Sequence, residues 1–310
     1  MNKKSIVNVL KAPVALFFAL RLLALPSLAA ESPLDPAKIE KLTGLQGKMN
    51  EKEGVFKVSF PRKDINATIA GVKATPAMGL TAWAAFTQAG GHTVVMGDMV
   101  LLEEQVNPVM SVALENGLEV TALHNHFFWD SPKVMFMHIG GMGDQEKLAL
   151  AVGEVFKKIK STIETKSKPM PMNINDELDP AKTSLNPKKI EEIIKSPGEL
   201  KDGVYKVTIG RTTQMNGHAM GKEMGVNTWA AFVGSDSKAV VDGDFAMLES
   251  EVQGVLKTLR ASGINIVAIH NHMTMESPRI IFLHFWGVGA TDALARGVKS
   301  ALDTQKGNLK

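Results

Sequence analysis

Residues 124–138 read His-Asn-His-Phe-Phe-Trp-Asp-Ser-Pro-Lys-Val-Met-Phe-Met-His, and residues 270–284 read His-Asn-His-Met-Thr-Met-Glu-Ser-Pro-Arg-Ile-Ile-Phe-Leu-His. The second stretch repeats the first at an offset of 146. Working outward, the same offset relates Met78-Gly79 to Met224-Gly225, Trp83–Phe86 to Trp229–Phe232, Gly97-Asp98 to Gly243-Asp244, and Leu102-Glu103 to Leu248-Glu249. Further upstream, Gly54–Val58 corresponds to Gly203–Val207, and Asp35-Pro36 to Asn186-Pro187. Self-similarity at a fixed period marks a duplicated structural unit. The expected organisation is a leader over 1–30, a first unit over 31–165, a linker rich in Pro, Asn, Asp and Lys over 166–185, and a second unit over 186–310.

Each unit reads as the same series of elements. Pro36 and Pro187 sit at first-turn positions behind the capping residues Asp35 and Asn186, so a short helix opens each unit. Strands are expected over 55–60 and 204–209, then hairpins joining 83–86 to 94–96 and 229–233 to 239–241. Apolar residues at three- and four-residue spacing after Leu102 and Leu248 predict amphipathic helices, closed by Gly117 and Gly263. Strands over 118–124 and 264–270 lead into the His-Asn-His segments. Strands over 134–139 and 280–285, and terminal helices over 145–163 and 292–303, complete the units. The strand–helix alternation is too irregular for a doubly wound parallel sheet. The expected fold class is α+β: two tandem homologous units with mixed or antiparallel sheets flanked by helices, related by a pseudo-two-fold.

The chain has 310 residues, 45% of them apolar and 22% charged, which are globular proportions rather than disordered or membrane-embedded ones. Lys3, Lys4, Lys11 and Arg21 precede the first acid; without them the net charge of +3 becomes −1, so no sequence-wide attraction to nucleic acid is expected. The same cations, the apolar run 14–25 and Ser27-Leu28-Ala29 predict a signal peptide cut after Ala29 or Ala30. That run is too short, and too interrupted by Arg21, to span a bilayer. Cysteine is absent, which excludes disulfides, thiolate chemistry and a lipoprotein anchor. The expectation is a periplasmic or secreted protein that is not a lipoprotein and has no stable membrane insertion after cleavage.

Six of the eight histidines occupy matching places: His124, His126 and His138, and His270, His272 and His284. Residues i and i+2 of a strand share a face, and a neighbouring strand brings the third imidazole. Three imidazoles can ligate a divalent metal and leave a fourth position open; zinc is favoured, while copper, nickel and iron also suit the donors. The competing reading is hydrogen-bonded structural histidine at a sheet edge. Glu276 and Glu249 are candidate proton acceptors beside such a metal, and Arg279 a candidate clamp for an anionic ligand. The matching Asp130, Glu103 and Lys133 admit the same readings. Turn formation, a helix N-terminus and a solvated surface are the structural alternatives. Trp83 and Trp229 read as core residues first and ligand-stacking residues second.

The segment His270-Asn271-His272-Met273, Glu276, Pro278-Arg279, Phe282 and His284-Phe285-Trp286, followed by Asp292, Leu294-Ala295 and Ala301-Leu302-Asp303, resembles the LppY/LpqO family of exported bacterial proteins. The resemblance covers most of the chain after the leader and implies an extracytoplasmic location; it implies no reaction. The histidine pattern by itself is similar to the zinc ligands of acetolactate decarboxylase, with a spacing that departs by about one residue. That likeness implies an open metal site for a small oxygenated molecule. The combined expectation is an exported metal-binding protein, an enzyme acting on a small oxygenated or anionic molecule or else a non-catalytic metal- or ligand-binding protein of the cell envelope. The second unit fits the family segment better and is the expected seat of the chemistry.

Overall fold

Alternation of buried and half-buried residues through Thr81-Ala-Trp-Ala-Ala-Phe, and again through Asn227-Thr-Trp-Ala-Ala-Phe, gives strands with one core face and one open face. The computed structural model describes residues 34–164 and 178–305, so the leader with its expected cleavage site, and residues 166–177 of the expected linker, lie outside the described residues. In the first unit the order is α1 (Pro36–Thr43), β1 (Gly47–Asn50), β2 (Val55–Pro61), β3 (Thr68–Ile69), β4 (Val72–Lys73), β5 (Thr81–Ala89), β6 (His92–Leu102), α2 (Glu103–Glu115), β7 (Glu119–His124), β8 (Asp130–Ser131), β9 (Val134–Gly143) and α3 (Gln145–Glu164). The second unit follows with α4 (Pro187–Ile194), β10 (Gly198–Lys201), β11 (Val204–Gly210), β12 (Thr213–Met215), β13 (His218–Met220), β14 (Asn227–Gly234), β15 (Ala239–Leu248), α5 (Val252–Ala261), β16 (Asn265–His270), β17 (Glu276–Ser277), β18 (Ile280–Gly289) and α6 (Thr291–Asp303). The mixed α+β class is as expected, and every strand pairing among the described residues is antiparallel.

Both units contribute to one twelve-stranded sheet, ordered β1-β2-β5-β6-β9-β7-β16-β18-β15-β14-β11-β10. Read from either edge, the strands come in the same order. The helices pack as a layer, α1 on α3, α3 on α2, α2 on α5, α5 on α6 and α6 on α4. Their apolar stripes meet the core face of the sheet, where Phe86, Phe232, Phe285 and Ile139 are buried with Val109, Phe156, Leu256 and Val298. Each such large side chain contributes about 1.5–3 kcal/mol over its exposed state. The helix caps follow the sequence: Asp35 accepts from the Lys38 N–H at 3.0 Å and Asn186 from the Lys188 N–H at 3.1 Å.

The seam between the units pairs Leu123 with Ile269, which are matching residues of the duplication. Beside it β7 and β16 each carry a bulge, at Val120–Ala122 and Ile266–Ala268. Backbone groups freed there are taken by amide side chains from the opposite unit. Asn107 donates to the Ile266 carbonyl at 3.1 Å and accepts from the Ile266 N–H at 2.8 Å. Gln253, the matching residue, donates to the Val120 carbonyl at 2.9 Å and accepts from the Val120 N–H at 3.0 Å. Each unit also anchors an arginine, Arg62 buried and Arg211 partly buried: Arg62 bonds to Gln105 at 3.0 Å, and Arg211 to Glu251 at 3.2 Å. Gln105 and Glu251 in turn accept the N–H groups of Leu102 and Leu248, both at 2.9 Å, so the arginine ties the end of a central strand to the helix that follows.

Candidate metal centre

The central strands β6 and β15 run further than sequence spacing predicts, through Gly97-Asp98 and Gly243-Asp244. Glycine is needed there because a Cβ on Gly243 would lie 2.2 Å from the Phe285 ring and 2.4 Å from the Trp229 carbonyl. A Cβ on Gly97 would lie 2.7 Å from the Trp83 carbonyl. With the strand continued, the next residue points to the open face. Successive ladder pairs then place Thr208, Trp229, Asp244, His284 and Ala268 in one row across five strands. Ser59, Trp83, Asp98, His138 and Ala122 form the same row in the first unit.

In the second unit, donor atoms of Asp244, His270 and His284 all lie within 4.8 Å of one another, the one such group among the described residues. This group could hold a metal ion. Strand β16 ends at His270, so His272 reaches the cluster from the loop beyond it rather than from the strand. Its ring stacks on Phe282 with centroids 3.5 Å apart, and its Nε2 lies 3.1 Å from His270 Nε2 and 3.2 Å from Asp244 Oδ2. A carbonyl can only accept, so His272 Nδ1 donates to Gly225 O at 3.2 Å and His284 Nδ1 to Gly243 O at 3.3 Å. In the neutral rings this leaves both Nε2 lone pairs free for a metal, the usual outer support of a ligating histidine.

The electrostatics reflect a buried carboxyl held close to partly exposed imidazoles. Burial pushes the Asp244 carboxyl up to about 6, against the pull of His284 and His272. Burial, then His284 and His272, push the His270 imidazole down to about 4. Asp244 Oδ1 and His270 Nδ1 are buried with no hydrogen-bond partner among the described residues. A divalent cation would satisfy this concentration of acceptors.

The first unit has the same residue types in a looser arrangement. His124 lies 5.1 Å from His126 and 5.0 Å from His138 between ring centroids, and His126 stacks on Phe136 at 3.3 Å. His138 Nε2 is 3.9 Å from Asp98 Oδ2. Burial again raises the Asp98 carboxyl, opposed by the three histidines and Lys57, and burial lowers His124 and His126. Among the described residues no backbone carbonyl orients His126 or His138.

Glu276, Arg279 and Glu249 lie further along the β15–β18 ladder than His284. They flank the Leu248–Ile280 pair, four ladder pairs from Asp244–His284, a separation of about 13 Å. Glu276 Oε1 accepts from the Ile280 N–H at 3.3 Å, and Arg279 Nε lies 3.9 Å from Glu249 Oε1. In the first unit Asp130 accepts from the Val134 N–H at 2.8 Å and from Lys133 at 3.1 Å. Asp130 and Glu276 brace the backbone after the cis Ser131-Pro132 and Ser277-Pro278 bonds, Lys133 pairs with Asp130 and Arg279 with Glu249, and Glu276 Oε2 is buried with no hydrogen-bond partner among the described residues. The residues that sequence reasoning passed over are Asp98 and Asp244. Their signal was present, since Gly-Asp recurs in both units, but glycine and aspartate read as a strand break. The seam also holds a cavity of about 250 Å³, lined by Val106, Asn107, Leu123, Met135, Ile266 and Trp286 among others. None of the six histidines lines it.

Among the described residues no helix is long and apolar enough to cross a membrane. No curated protein and no solved structure matches the chain. A family model described as Domain of Unknown Function (DUF1259) matches twice, over residues 37–158 and 188–304, one match to each unit. Those two matches span most of the sequence, and the chain therefore belongs to the DUF1259 family.

Proposed function

We propose that this is an exported metal-binding protein that presents a divalent ion, zinc being favoured, to a small oxygenated or anionic molecule. The observation that carries this reading is the convergence of Asp244, His270 and His284 within 4.8 Å, with His272 at the rim. Borderline imidazole and carboxylate donors suit zinc at neutral pH and also accept copper, nickel or iron. The first unit's Asp98, His124, His126 and His138 form a weaker, equivalent site. The palindromic strand order and the pairing of matching residues at the seam support a pseudo-two-fold between the two sites. The likeness to the LppY/LpqO proteins and the leader's composition support export.

A second reading has its own observation. With Asp244 and all three histidines bound, protein donors fill a tetrahedral shell, as in structural sites. The protein would then bind metal without acting on a ligand. Elemental analysis of the untagged chain from Glu31 onward tests the shared claim. At least one metal per chain is expected, and protein that takes up no zinc, copper, nickel or iron refutes it. The cobalt-substituted spectrum separates the two readings: a band shift on adding azide indicates an open position, and an unchanged spectrum a closed shell.

A further inference from the structure

Beside each aspartate a lysine lies over an indole ring. Lys206 Nζ is 4.1 Å from the centre of the Trp229 ring, and Lys57 Nζ is 3.9 Å from that of Trp83. Each tryptophan is the ladder partner of the candidate metal-ligating aspartate, Trp229 of Asp244 and Trp83 of Asp98. The ammonium groups therefore sit on the open face, roughly two strand spacings, about 10 Å, from the histidine clusters. Neither lysine has a carboxylate within ion-pair distance among the described residues, whereas Lys133 and Arg279 are already matched by Asp130 and Glu249. An exposed cation is held only weakly on an indole face, enough to bias its position while leaving its charge available. The pairing occurs in both units although the surrounding sequence has diverged.

We propose that Lys206–Trp229, and Lys57–Trp83 in the first unit, form oxyanion subsites next to the metal position. The ligand class is a small molecule with a metal-seeking oxygen function at one end and a carboxylate or phosphate at the other. The lysine meets the far anion, the indole supports the chain between the two ends, and the metal takes the near oxygen. This rests on the metal reading above and adds to it the length and charge of the ligand.

The test is calorimetric titration of the zinc-loaded chain with glutarate, which has two carboxylates, and with acetate, which has one. Glutarate is expected to bind more tightly. The double variant Lys57→Gln/Lys206→Gln should weaken glutarate binding about ten-fold or more, the size of one lost charge-assisted contact. It should leave zinc affinity and acetate binding unchanged, and Lys57→Arg/Lys206→Arg should retain the glutarate affinity. If zinc binds normally but glutarate is no better than acetate, or is indifferent to the glutamine substitutions, the subsite is refuted and the metal reading stands. If the chain takes up no zinc, both fall together.

Discussion

Asp244→Asn should make the metal-free protein more stable while disabling the site. Burial holds the Asp244 carboxyl near 6 in the folded chain, against 3.8 for a free aspartate. The folded state thus binds this proton more tightly than the unfolded state. Stability from the group is fully present below about pH 4 and is lost as pH rises to about 6. Above that, the ionised carboxylate costs the empty site about 3 kcal/mol, at roughly 1.4 kcal/mol per pH unit. Asparagine is nearly isosteric and carries no charge, and its amide can donate to the His272 Nε2 lone pair, which lies 3.2 Å from the Asp244 oxygen. A net gain of about 1–3 kcal/mol is expected at pH 7.5, or about 2–8 °C in Tm. Zinc at 100 times its Kd should stabilise the native protein by about 2.7 kcal/mol. Losing a ligand should cost at least the 10–100-fold associated with outer-shell changes, leaving the variant at most about 0.4–1.4 kcal/mol of that gain. Thermal unfolding with EDTA and then with zinc reads both effects. A variant that melts lower than the parent without metal, yet shows the same upward shift with zinc, would refute the argument and leave Asp244 a structural partner of His272.

The remaining expectations concern the same site and its supports. His272→Ala should weaken zinc binding about 10-fold or more, and His126→Ala less, because only His272 is oriented by a backbone carbonyl; equal losses by zinc titration would indicate two equivalent sites. Zinc affinity should fall as pH drops below about 6, since the raised Asp244 carboxyl then holds a proton that the metal must displace, while His270, depressed to about 4, stays neutral. Identical affinities at pH 5 and 7.5 would contradict this. Arg211→Met leaves Glu251, only 3% exposed, without its cation and should cost about 3–5 kcal/mol in urea unfolding, with much of the loss recovered by Arg211→Met/Glu251→Leu. A single variant as stable as the parent would show that the pair is not needed.

The caps, the amphipathic helices and the strands leading to His124 and His270 were legible because each depends on a local pattern. Asp35-Pro36 and Asn186-Pro187 act within one turn, and period-two alternation reports burial directly. The full extent of β6 and β15 was not legible. Gly243 is there to admit the Phe285 ring from a strand 42 residues further along, which no local window contains. Missing that continuation hid Asp244, whose role depends on a ladder partner rather than on a neighbour in sequence. For the glutamates and Arg279, closeness in sequence and place in the sheet differ. They lie close to the histidines in sequence, but β18 carries His284 about 13 Å away from them. Nor could spacing reveal Arg62 or Arg211, because such an arginine is recognised by what surrounds it.

The amide clamp at the seam bears on where such a chain comes from. Asn107 serves the second unit as Gln253 serves the first, and Leu123 faces Ile269, its own counterpart. A surface whose contacts recur reciprocally between the two halves is self-complementary, as in a twofold homodimer. A single unit made alone would expose the β7 or β16 edge and an unused amide, with the required mate present only on another copy. The duplicated chain resembles two such subunits joined end to end. Joining them removes the dilution problem, since assembly no longer depends on protein concentration. It also frees the two halves to diverge: once the partner is guaranteed, one half can change its open face while the other keeps its own.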